Sequence, residues 1–222
     1  EIFGFLGPNG AGKTTAIMMF LGLTFPSAGI ARVYGYDCTR NPRDVKRITG
    51  YLPETLGFYG EMSAKENLLY TTSLNNIGRK EALRRIDEAL AYVGLDERAT
   101  QPVKQYSRGM RQRLGMADVL IKRPKVVLLD EPTQGIDPAS VEDVLNLITG
   151  MSRDQGITVL VSSHQLHYIQ RICDRVGIMS RSQMVVQGTV EELAQQSREG
   201  EGIVIELEVG RVSDELQGAL KA

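Results

Sequence analysis

Residues 7–14 read GPNGAGKT, a G-x-x-x-x-G-K-[ST] run. An apolar stretch, IFGFL at 2–6, precedes it, and KTTAIMMFLGL at 13–23 follows. Strand before and helix after is the context in which this spacing cradles phosphates. Gly7, Gly10 and Gly12 let the backbone curl around Pro8, Asn9 and Ala11 with its N–H groups turned inward. The helix that opens at Lys13 adds a partial positive charge at its N-terminus. Lys13 is placed to reach β- and γ-phosphates, and the Thr14 hydroxyl, with Thr15 beside it, to ligate Mg²⁺. A chance glycine-rich turn is the bland alternative, and the flanking elements argue against it.

A second group of polar residues closes an apolar run. VVLLDE, residues 126–131, reads as a buried strand ending in two acids. Asp130 is expected to hold Mg²⁺ beside the cradle. Glu131, one residue on, is expected to orient or deprotonate a water attacking a γ-phosphate. Taken alone, an Asp-Glu pair marks a solvated strand end as readily; the phosphate cradle elsewhere in the chain gives it its meaning.

The elements that must position these residues follow from periodicity. VVLL and ITVLV (157–161) are continuous apolar runs, as expected of central parallel strands covered on both faces. IARVYG (30–35) and TGYLP (49–53) read as further strands, and PRDVKRI as a helix opened by Pro42. From about 63 to 105 the pattern turns helical, with Ala82, Ile86, Ala89, Leu90 and Val93 at three- and four-residue spacing. Further helices are expected over 108–121, 138–153, 164–173 (HQLHYIQRIC) and 189–197 (TVEELAQQS), with VGIM and QMVVQG as a strand pair. The fold class is therefore α/β, a mainly parallel central sheet with an inserted all-helical lobe. Residues 1–54 and 106–200 are assigned to the core, 55–105 to the lobe, and 201–222 to the start of a C-terminal subdomain.

Bulk properties exclude several classes. The net charge is −1, so no nucleic-acid partner is expected. Cys38 and Cys173 lie far apart, which suits neither a disulfide framework nor a zinc site. No apolar run approaches the roughly 20 residues that span a bilayer. The strand that opens at the first residue suggests that upstream strands are missing.

Several of these motifs together resemble the ABC ATPase family, from Glu1 to about Gln195. GPNGAGKTT is similar to its first phosphate motif, and DEPTQGIDP to its second motif run into the D-loop, with Asp137 as the D-loop acid. YSRGMRQRL, 106–114, resembles the signature sequence; TGYLPE, 49–54, falls where the Q-loop belongs; and VSSH places His164 at the switch histidine. The resemblance implies a P-loop NTPase fold, ATP and Mg²⁺ as cofactors, and hydrolysis with Glu131, His164 and Lys13 as catalytic groups. It implies a homodimer in which Ser107 and Gly109 of one subunit cover the ATP of the other. It further implies transmembrane permease partners reached through the helical lobe, and a peripheral place on the cytoplasmic face of the membrane. The adenine-stacking aromatic of the family would lie upstream of Glu1.

Two departures stand out. Arg108 and Met110 replace a glycine and a glutamine of the common signature, and Glu54 takes the Q-loop glutamine's place, where it can coordinate Mg²⁺ or the attacking water. Both look like the branch of drug, antibiotic, lipid and sodium efflux ATPases. Tyr51, Phe58 and Tyr59 flank the Q-loop and suit either packing at the lobe junction or contact with a partner helix. His167 reads as structural. A soluble ABC ATPase acting on nucleic acid or the ribosome is the competing reading. A GTPase lacks its N-K-x-D run here.

Overall fold

The computed structural model describes residues 1–193, and residues Glu1–Val190 form one compact unit. Of the second unit only 191–193 are described, as the continuation of a helical turn that starts at 190. The expected helix over 189–197 falls mostly outside the described residues, and the expected subdomain at 201–222 falls wholly outside them.

Among the described residues eight strands and seven α-helices follow in chain order: β1 Ile2–Leu6, α1 Lys13–Phe20, β2 Arg32–Val33, β3 Tyr36–Asp37, α2 Pro42–Ile48 and β4 Thr49–Leu52. Then come α3 Ala64–Leu74, α4 Arg79–Tyr92, α5 Arg108–Leu120, β5 Val126–Asp130, α6 Pro138–Arg153, β6 Thr158–Ser163, α7 Leu166–Ile169, β7 Arg175–Ser180 and β8 Gln183–Thr189. The main sheet has the order β4-β5-β6-β1-β7-β8; the first five run parallel and β8 pairs antiparallel with β7.

The sheet is covered on both faces, as the unbroken apolar strands require. On one side Ile17 of α1 and Leu21, the residue that caps it, pack against Leu128 of β5. On the other, α5 lies close over β4, because glycine is used at both contact points. A Cβ on Gly50 would come within 2.4 Å of Val119, and one on Gly115 within 2.5 Å of Leu52. Ile2, Val127, Leu129, Val159 and Val161 are fully buried at the centre.

Between β4 and α5 the described backbone is helical or irregular, with α3 and α4 joined to two short 3-10 turns. Ser63 starts α3 with a capping box: its Oγ accepts from the Glu66 N–H at 3.2 Å, and its own N–H donates to Glu66 Oε2 at 2.7 Å.

Candidate functional site

The cradle grows out of the β1–α1 junction. Gly12 caps α1 at φ 96°, a left-handed backbone that side chains resist. The curl brings the Lys13 ammonium back over its own loop, where it donates to the carbonyls of Gly7 (2.7 Å) and Pro8 (3.2 Å). Asn9, Gly10, Gly12, Lys13, Thr14 and Thr15 wall a cavity of about 290 Å³ together with Glu54, Glu131 and Gln134. Ala11 turns the other way and packs with Phe5 and Met179 in the core.

Parallel pairing delivers the acids. Strand β5 ends beside β6 with Asp130 opposite Ser162. Asp130 Oδ2 accepts the Thr14 hydroxyl at 2.7 Å, and its Oδ1 accepts the Ser162 hydroxyl. Glu131 follows at φ 48°, an unusual value for a non-glycine residue, fixed by its N–H donating to the Ser162 carbonyl at 3.1 Å. The turn aims its carboxylate at the cradle: Oε1 stands 3.4 Å from the Lys13 ammonium, and His164 Nδ1 lies 3.0 Å from Oε2. Lys13 and Glu131 are both almost fully buried.

The fit to a nucleotide and its metal rests on groups left incomplete. Glu131 Oε1 and Gln134 Oε1 are buried with no hydrogen-bond partner. Thr14 and Asp130 offer two hard oxygens side by side, the kind and number that Mg²⁺ takes from protein when phosphate and water complete its shell. Among the described residues no group of three His, Cys, Asp or Glu side chains could hold a metal without such help.

Ser107, Gly109 and Asp137 form a second group that does not line this cavity. Ser107 caps α5, accepting from the Met110 N–H at 3.2 Å, and Asp137 caps α6, accepting from the Ser140 N–H at 3.0 Å. The two helix starts touch: a Cβ on Gly109 would fall 2.6 Å from Ser140 Oγ. The Ser140 hydrogen bonds hold the exposed Asp137 carboxyl below its ordinary pKa. Sequence reasoning gave no role to Ser162 or Gln134. Both stand inside quoted motifs, and the β5–β6 register is the missing information for the first of them.

The family model described as ABC transporter matches residues 1–134. The bacitracin transport ATP-binding protein BcrA of Bacillus licheniformis is 38% identical over 198 residues, 89% of this chain and 64% of that protein. The linearmycin resistance ATP-binding protein LnrL of Bacillus subtilis is 35% identical over 222 residues, 100% of this chain and 70% of that protein. The chain thus spans about two thirds of the length of these curated relatives. A solved ATP-binding subunit of an ABC transporter superposes with a TM-score of 0.77 at 27% identity, over 100% of this chain and 88% of the other. The chain belongs to the ABC transporter family, among its ATP-binding subunits.

Proposed function

We propose that the chain hydrolyses Mg-ATP as the ATP-binding subunit of an exporter, closing head-to-tail on a second copy and driving membrane-spanning partner subunits. The observation that carries this is Glu131, held at the cavity wall between Lys13 and His164, with one oxygen buried, ion-paired with Lys13 at 3.4 Å and without a hydrogen bond. Such an oxygen is short of a donor, and a water in line with a γ-phosphate supplies one.

In this reading Lys13 exchanges Glu131 for β- and γ-phosphate oxygens, and the inward N–H groups of the cradle hold the same phosphates. Glu131, released from the ammonium, takes a proton from water as the water oxygen attacks the γ-phosphorus. The bond to the bridging oxygen breaks and ADP leaves with it. His164, on the other carboxylate oxygen, keeps Glu131 turned toward that water. Thr14 and Asp130 would hold Mg²⁺, which when bound draws charge from the β- and γ-oxygens. Glu54 adds a second carboxylate to the cavity's lining, where it orients the water or the ion's hydration shell. Ser107, Gly109 and Asp137 serve the second subunit's cavity, which fits their clustering away from their own. The lobe at 55–105 carries the contacts to the membrane subunits, so the chain works on the cytoplasmic face as a peripheral subunit. The transport and resistance roles in the names of the bacitracin and linearmycin relatives support antibiotic-like cargo moving outward.

The test is Glu131→Gln, which keeps size and hydrogen bonding but removes the base. ATP affinity should stay within a few-fold, while turnover falls by about 10²-fold or more. Full turnover in this variant would take the base role away from Glu131.

A further inference from the structure

Arg108 has no role in the site described so far. It is exposed and opens α5, next to the Ser107 cap. Among the described residues its side chain makes no ion pair and no hydrogen bond. The first turn of α5 holds no acid. A cation at the positive end of a helix, with no carboxylate to offset it, is disfavoured by the helix dipole. Asp137, the exposed acid of the neighbouring loop, accepts from the Ser140 N–H at 3.0 Å and forms no ion pair with Arg108. Local electrostatics therefore give no reason for arginine here, and such breaches of a local rule gather at functional sites.

The guanidinium is nevertheless seated. A Cβ built on Gly135 would lie 2.6 Å from Arg108 Cζ, 2.6 Å from Nη1 and 2.8 Å from Nη2. Three nearly equal distances mean that the planar group lies face-on over the glycine. Gly135, at φ 65°, carries no side chain and leaves this space open. The guanidinium thus meets the loop through its flat face. Its N–H donors lie in the plane and point sideways, free for an acceptor from outside. A phosphate matches such a fork of donors and offsets the charge at the helix start. That phosphate is not the chain's own. Gln134, the residue before Gly135, walls the chain's own phosphate cavity, and Arg108 is absent from its walls.

We infer that Arg108 donates to the γ-phosphate of the ATP held by a facing copy, and stabilises the charge that builds on the phosphoryl oxygens as water attacks. The inference rests on the head-to-tail reading above and adds to it a catalytic residue given in trans. Arg108 stays protonated throughout and neither makes nor breaks a covalent bond. Ser107 and Gly109 bracket it in the chain, so all three meet the same phosphate.

The experiment uses the full-length protein, assembled with its membrane subunits where turnover requires them. Arg108→Ala should lower kcat by about 10²-fold or more. KM for ATP should stay within a few-fold, because each cavity still binds ATP by itself. The melting temperature should hold or rise, since the helix start loses a cation. Arg108→Lys keeps the charge but not the planar fork, and should recover only part of the loss. Action in trans is read from two mixed dimers, each purified through a different tag on each copy. The first pairs an Arg108→Ala copy with a Lys13→Ala copy, so one intact cavity faces one intact Arg108. The second pairs an unmutated copy with a copy carrying both changes, so the intact cavity faces the alanine. The first should turn over at least about tenfold faster than the second. Full turnover by Arg108→Ala, or a second dimer at least as fast as the first, would overturn the inference. If Glu131→Gln protein forms no ATP-dependent dimer, the head-to-tail reading itself falls; if it dimerises and either of those results holds, only the role of Arg108 is lost.

Discussion

At the scale of single residues, the phosphate cavity is a set of side chains each held by one more behind it. Asp130 has Thr14 on one oxygen and Ser162 on the other, and Ser162 also carries the backbone of Glu131 through its carbonyl. Ser162 is therefore an outer partner of the proposed metal ligand. Ser162→Ala should lower the affinity for Mg²⁺ in the presence of ATP by about 10- to 100-fold. Nucleotide binding without Mg²⁺ should be nearly unaffected, because the cradle and Lys13 do not touch Ser162. A titration of Mg²⁺ against ATP-bound protein reads this, and an unchanged midpoint would leave Ser162 with a packing role alone. Thr14 and Asp130, the proposed ligands, could be singled out from the sequence because each sits in a run whose spacing has a mechanism. Ser162 was not, because its role arises from the pairing of β5 with β6, and no local pattern states which strands become neighbours.

At the scale of elements, termini with chemical markers were legible and those set by tertiary contact were not. Helix α6 runs Pro138–Arg153, as expected, since Asp137 caps it and Pro138 presets its first turn. The ten-residue helix expected over 164–173 shrinks to α7, Leu166–Ile169. His164 is held by Glu131, and the Gln165 N–H donates to Ser163 Oγ, so the helix cannot start earlier. Beyond it, Arg171 and Ile172 bond three residues back, which tightens the chain into turns. The strand expected over 30–35 is cut to β2, Arg32–Val33, because Tyr34 (φ 51°) and Gly35 (φ 85°) form a left-handed pair that reverses the chain into β3. A Tyr-Gly pair carries a weaker turn signal than Asn-Gly, so the reversal was hidden. The Ser63-x-x-Glu66 spacing, by contrast, stands openly in the sequence as a capping box. Ser63→Ala removes the acceptor for the Glu66 N–H and one end of that box. It should cost about 1 kcal/mol, and lower the melting temperature by roughly 2–4 °C for a chain of this size. Thermal unfolding followed by circular dichroism checks it; no shift would mean that packing alone sets the start of α3.

At the scale of the whole molecule, the division of polar residues into two groups becomes an argument about assembly. Lys13, Thr14, Glu54, Asp130, Glu131 and His164 gather at one cavity, while Ser107, Gly109 and Asp137 gather at the adjoining starts of α5 and α6. Ser107 is exposed, and its oxygen already accepts one N–H, which leaves its proton free to give to an outside acceptor. A phosphate on a facing copy would supply that acceptor, at a helix end whose dipole favours it. This can be tested without disturbing the fold. Aspartate caps helices about as well as serine and suits the same dipole, so Ser107→Asp should keep α5 and the melting temperature. Across a head-to-tail interface, however, its carboxylate would meet a phosphate of like charge, at a cost of several kcal/mol at contact distance. In a Glu131→Gln background, light scattering with ATP should show a dimer; adding Ser107→Asp should raise the dissociation constant by at least about tenfold while each monomer still binds ATP. If the double variant dimerises as well as the single one, Ser107 does not face the partner's phosphate. The two groups of residues would then have to work in some arrangement other than the head-to-tail pair.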